Sequence, residues 1–226
     1  INESKIKVVY LAVGPDFKRI HPSVGSGSEF KIQNLRKKYS LPERFVLYVG
    51  DVTWNKNLPN LIEAVKKANV PLVMVGSALV KENVDLDNPW NADFVKVLRL
   101  VDGDERIRRL GFVSKEELVL LYNIATVFVM PSLYEGFALP ILEAMSCGCP
   151  VITSKEGSIP EIAEESCKYV DAYSVDCIAA GISEVFNNAS LQKELSQKGI
   201  IQSKKFTWRK TADETMDVYK SVISPE

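Results

Sequence analysis

Short runs, mostly apolar and rich in β-branched residues, recur along the chain at 45–50, 72–75, 107–110, 127–130, 151–153 and 169–170, lengths suited to buried strands. Between them the apolar positions change period: Leu58, Leu61, Ile62 and Val65 recur at helical spacing, as do Leu118, Leu121 and Tyr122. This alternation predicts a Rossmann-like, three-layer α/β/α fold, with a mainly parallel sheet of about six strands and helices on both faces. The last third reads as helical over 175–187, 190–203 and 207–223, with Ser190 and Thr207 as expected caps. A helix is also expected over 30–39, after a loop at 22–28 rich in Pro, Gly and Ser.

The segment from Pro131 to Met145 carries the most chemistry. The apolar run 125–130 reads as a buried strand ending at Pro131, and Pro140 suits the first position of a helix, where its missing N–H costs nothing. Between them the amides of Gly136, Phe137, Ala138 and Leu139 have no obvious ladder partner. With the helix dipole behind them they form a candidate phosphate cradle. Glu135 falls in the loop and Glu143 is expected in the first helical turn. A carboxylate there would repel a phosphate and suits sugar hydroxyls better.

Composition narrows the classes. The 226 residues are 46% hydrophobic, without internal repeats or low-complexity tracts, and read as a single domain over 1–226. No apolar run has membrane-spanning length, and no cleavable leader is visible at the start. Basic (28) and acidic (29) residues are well mixed, so no footprint for nucleic acid exists. The short run Arg36-Lys37-Lys38 reads as a solvated helix face. Cys147, Cys149, Cys167 and Cys177 lack Cys-x-x-Cys spacing, and His21 stands far away, so they read as buried small hydrophobes in a reducing compartment rather than as zinc ligands. Gly25-Ser26-Gly27-Ser28 is no phosphate loop, since it follows no clear strand and lacks the third glycine and the lysine. A dehydrogenase fingerprint is missing too: after the first strand stands Gly50-Asp51-Val52-Thr53-Trp54-Asn55.

Glu135 and Glu143, with Gly-Phe-Ala-Leu-Pro between them, resemble the Glu-x7-Glu signature of retaining glycosyltransferases of the GT-B fold, group 1 (family 4). Further motifs stand in that family's order: Tyr48-Val49-Gly50, Lys56-Asn57-Leu58, Leu110-Gly111-Phe112-Val113-Ser114, Leu121-Tyr122, Cys147 to Ile152 and Ile159-Pro160-Glu161-Ile162. The likeness covers residues 45–219.

The resemblance implies the C-terminal, donor-binding half of a two-domain GT-B enzyme. Residues 5–14 resemble the segment entering that half, so the N-terminal acceptor domain is expected to be absent, the fragment to be inactive alone, and the helix at 204–226 to cross to the missing domain. An apolar face around Trp208 would then be exposed and could drive homodimerisation. The implied activity is retaining, hexosyltransferase-type transfer from a UDP-, GDP- or ADP-linked sugar to a glycan, lipid or other acceptor. It would take place in the cytoplasm or at the cytoplasmic face of the membrane, by peripheral association. Lys56, on the diphosphate, and Glu135, near the donor sugar, are the implied catalytic residues. Gly50, Asp51, Asn57, Val113, Gly136, Phe137, Ala138, Leu139 and Glu143 are the implied donor-binding residues, with Glu143 on the ribose and Val113 offering backbone to the base.

No cofactor or metal is implied, and Asp85-x-Asp87 and Asp102-x-Asp104 read as turn-forming acids. Two departures from the family pattern are Asp51 and Asn55, where many relatives carry arginine. A third is Ala138, where glycine is common and a methyl narrows the conformations available. The missing arginines and the expected absence of the first domain keep a non-catalytic nucleotide-sugar-binding module as the alternative.

Overall fold

The computed structural model of the chain describes residues 2–20, 25–82, 84–85 and 87–223. Strands β1 (Val46–Val49), β2 (Leu72–Val75), β3 (Ile107–Arg109), β4 (Val127–Met130), β5 (Val151–Thr153) and β6 (Lys168–Tyr169) form one sheet in the order β3-β2-β1-β4-β5-β6. Every pairing is parallel; Val46 of β1 stands opposite Leu72 on one side and Val127 on the other. β2 and β4 are buried along their whole length, which explains why they read as unbroken apolar runs rather than as alternating ones.

The helices are α1 (Gly25–Tyr39), α2 (Leu58–Ala68), α3 (Ala92–Val101), α4 (Lys115–Ile124), α5 (Leu139–Ser146), α6 (Ile159–Ala163), α7 (Val175–Asn187), α8 (Ala189–Ser203) and α9 (Trp208–Ile223). The chain winds outward from β1 to β3, returns beside β1 as β4, and winds outward again to β6. Right-handed crossovers then place α2 and α3 on one face of the sheet and α5 and α6 on the other. Helix contacts follow that division: α2 packs on α3 and α7, whereas α5 packs on α4, α6 and α8.

The Rossmann-like α/β expectation holds, with local corrections. Gly25 to Ser28 belong to the first turn of α1, not to a loop; the amides of a first turn have no helical partner, so glycine and serine cost least there. The remaining loop residues 22–24, and His21, lie outside the described residues. Thr207 caps α9 as expected, its Oγ1 accepting from Lys210 N at 3.2 Å, but α8 is capped by Asn188 rather than Ser190. Cys177 is exposed, unlike the other cysteines. Arg36 of the basic run donates to the Pro42 and Glu43 carbonyls, and Lys38 pairs with Glu117, so this face is partly structural. Helix α9 buries no residue, and Trp208, Tyr219 and Ile223 are exposed. Among the described residues no helix is long and apolar enough to cross a membrane.

Candidate functional site

Strand order reverses between β1 and β4, whose chains leave in opposite directions and open a crevice beyond their carboxyl ends. The loop after β1 and the loop after β4 both enter this crevice. They are laced together: Leu133 N donates to Asn55 O at 2.7 Å, and Asn55 Nδ2 to Tyr134 O at 3.0 Å. Asn55 therefore works as a brace. Asn57, with a left-handed backbone (φ 56°), donates its side-chain amide to Pro131 O and Ala172 O at 3.0 and 2.7 Å. These bonds give the buried Asn57 side chain a clamping role where the sequence suggested a donor contact.

At the centre, Lys56 Nζ donates to both oxygens of Glu135, at 2.7 and 3.0 Å. The two side chains are only 17% and 8% exposed, so each charge depends on the other for compensation. Beyond Glu135, Ala138 takes a left-handed conformation (φ 64°, ψ 49°) to turn the chain into α5. That is why glycine suits this position and a methyl strains it. Helix α5 starts at Leu139, so Pro140 is its second residue, not its first. The amides of residues 136–139 donate no main-chain hydrogen bond among the described residues, although Ala138 itself is buried. The Phe137 ring packs against Tyr10 and Phe206, each at 6.2 Å between centroids.

Glu143 is the fifth residue of α5, past the first turn in which it was expected, so the helix dipole is not its main partner. Its Oε2 accepts a 2.9 Å hydrogen bond from Tyr122 Oη on α4. Burial pushes the Glu143 pKa up, and the tyrosine bond pulls it partly back. Tyr122 is itself wholly buried, edge-on to Phe17 and Phe128.

Beside the crevice, a cavity of ≈ 330 Å³ lies over the ends of β1, β2 and β3, lined by Gly50, Gly76, Gly111, Phe112 and Val113 among others. Glycine at 76 is enforced by close approach: a Cβ there would stand 2.0 Å from Gly50 O. Val113 is largely buried, whereas Phe112 is 82% exposed at the cavity, a candidate contact that the sequence reading passed over. Asp51 is exposed, and its Oδ1 accepts from the neighbouring Val52 N at 2.9 Å.

Asp85 and Asp104 likewise accept main-chain N–H groups in turns, and the Arg106 side chain holds Asp104 down at about 2. Among the described residues no three His, Cys, Asp or Glu side chains form a group that could hold a metal ion. Tyr122 joins the site as the partner of Glu143, and Gly157 and Ser158 join it by touching the main chain of Glu135, three roles not expected from the sequence. Tyr122 stood in a quoted motif and in a helical pattern; nothing local marks the other two.

Residues 31–202 match the model of the family "Glycosyl transferases group 1", and the chain belongs to that family. O-antigen chain mannosyltransferase B of Escherichia coli is 34% identical over 194 residues, covering 81% of this chain and 48% of the relative. Sucrose-phosphate synthase from Thermosynechococcus elongatus superposes with a TM-score of 0.76 at 25% identity, over 97% of this chain and 53% of that one. Anabaena HepE, solved in complex with UDP and glucose, shares the fold at a TM-score of 0.74 and 20% identity, over 96% of this chain and 56% of its own. The chain thus spans about half the length of these proteins.

Proposed function

We propose that the chain is the donor-binding half of a two-domain glycosyltransferase, which takes a nucleotide-diphosphate sugar and transfers its glycosyl group with retention of anomeric configuration. The observation that carries this reading is the meeting of Lys56 and Glu135 where the strand order reverses, beside four amides that donate no main-chain hydrogen bond among the described residues. It is supported by the family membership and by the UDP and glucose in the HepE neighbour.

In this reading the diphosphate lies against the amides of 136–139 and draws the Lys56 ammonium away from Glu135. Lys56 then offsets the charge that builds on the departing nucleotide. Glu135, released from the ion pair, accepts hydrogen bonds from sugar hydroxyls, and Glu143 accepts from the ribose on the oxygen that Tyr122 leaves free. The base occupies the cavity beside Phe112 and Val113. The leaving diphosphate helps to deprotonate the acceptor, which a second domain would hold, in the cytoplasm or at the cytoplasmic face of a membrane.

Calorimetric titration with UDP, GDP, ADP and their sugar conjugates tests this. Selective binding of one nucleotide, weakened by Lys56→Ala and by Glu143→Ala, is the expected outcome. If Glu135→Ala and Glu143→Ala both left transfer by the intact two-domain enzyme unchanged, the site assignment would be wrong. The second reading, a binding module without catalysis, is favoured by Asp51 and Asn55, which supply no positive charge to the diphosphate. Turnover of a nucleotide sugar removes it.

A further inference from the structure

Glu135 sits on a loop, so its position has to be fixed by other parts of the chain. Lys56 holds the carboxylate, but in the function proposed above a bound diphosphate competes for that lysine. The main chain of Glu135 has a separate hold. The segment that leaves β5 follows the segment that leaves β4, hydroxyl by carbonyl. Thr153 Oγ1 donates to Met130 O at 2.8 Å, Ser154 Oγ donates to Ser132 O, and Ser158 donates to Glu135 O through both its Oγ (3.1 Å) and its N–H (3.2 Å).

Gly157 completes the contact. Its φ of +60° is left-handed, and a Cβ there would stand 2.6 Å from Glu135 O and 2.9 Å from Glu135 N, distances that backbone atoms cannot accommodate without moving. A side chain at 157 would therefore push Glu135 along its own loop.

We propose that Gly157 and Ser158 are positioning residues for Glu135, forming a seat that fixes its main chain against the donor sugar once Lys56 is engaged by the diphosphate. The inference rests on the function proposed above. It goes further in predicting which step depends most on the seat: the diphosphate keeps Lys56, Glu143 and the amides of 137–139, and loses only the Gly136 amide that shares a peptide plane with Glu135 O, whereas recognition and transfer of the sugar need the Glu135 carboxylate itself.

The test combines calorimetry on this chain with transfer kinetics on the intact two-domain enzyme, using each nucleoside diphosphate and its sugar conjugate. Gly157→Ala should weaken binding of the free diphosphate only about twofold, lose the extra affinity conferred by the sugar, and lower kcat by about 100-fold, the scale of loss that a misplacement of about 1 Å at a reacting centre can bring. Ser158→Ala, which removes one of two hydrogen bonds, should lower kcat by about fivefold, and Ser158→Thr should restore it. Gly157→Asn separates strain from contact, because asparagine tolerates a left-handed backbone better than alanine but still carries a Cβ. Failure of Gly157→Asn to recover supports the seat; full recovery overturns it.

Should Gly157→Ala not fold, Ser158→Ala carries the measurement. Unchanged kcat and sugar-dependent affinity in both Gly157→Ala and Ser158→Ala, with Lys56→Ala still weakening nucleotide binding, would overturn the seat and leave the function standing. If the unaltered protein bound no nucleotide, the function would fail and the seat with it.

Discussion

Glu135 and Glu143 belong to one motif but are held by opposite means. Glu135 lies in a loop and is fixed by a lysine 79 residues earlier and a serine 23 residues later. Glu143 lies in α5, where the helix backbone sets its direction and one phenol on the adjacent α4 sets its surroundings. The loop position depends on long-range contacts that carry charge; the helical one depends on local geometry and on burial. Disturbing the partners of Glu135 should therefore affect stability and chemistry together, whereas disturbing the partner of Glu143 should act chiefly on its proton.

The largest effect is expected from Lys56→Ala, which leaves the Glu135 carboxyl enclosed and unpaired, at a cost of about 3 kcal/mol in urea denaturation. Pairing it with Glu135→Leu should recover most of that loss. Simple addition of the two single effects would show that the carboxylate does not depend on the lysine. Tyr122→Phe should cost about 1 kcal/mol and raise the Glu143 pKa further, since the hydroxyl is what lowers it. Ala138→Gly should stabilise by about 0.5 kcal/mol, the left-handed strain relieved less the added freedom of glycine when unfolded.

The smallest effect concerns pH. Burial raises Glu143 above its unfolded value, so its contribution to stability is fully present below the unfolded pKa and is lost as pH rises through the folded one. Glu143→Gln should remove that decline from a pH series of denaturation curves. Nucleotide binding should show the opposite sign, weakening as pH falls through the same raised pKa, because the ionised carboxylate is the better acceptor for ribose hydroxyls.

Much of the frame was legible because it is local. Unbroken apolar runs at 72–75 and 127–130, and the β-branched run at 151–153, mark strands whose bounds the structure reproduces, since burial on both faces leaves no exposed position to blur them. The site was legible only in part. Lys56 and Glu135 were each singled out, but not their pairing, because sequence order carries no record of the strand reversal that joins them. Gly157 looks like an ordinary turn glycine, and only the passage of another loop against it gives it a reason. Tyr122 fitted a helical apolar pattern, which hid a hydroxyl aimed at a carboxylate on another helix. Asn57 could have faced a ligand or a carbonyl, and residue type does not choose between them.

The ring contacts of Phe137 have a consequence for how the molecule is made. Its partners are Tyr10 and Phe206, and Tyr10 O in turn accepts from Thr211 Oγ1 across 201 residues. Contacts between parts of the chain so far apart close late, after the intervening sheet has brought them together. During synthesis the sheet can assemble as its strands emerge, but the aromatic brace behind Glu135 must wait for Phe206. The loop that carries the chemistry is thus one of the last parts of the molecule to become fully packed, and an incomplete chain carries Lys56 and Glu135 without the support behind them.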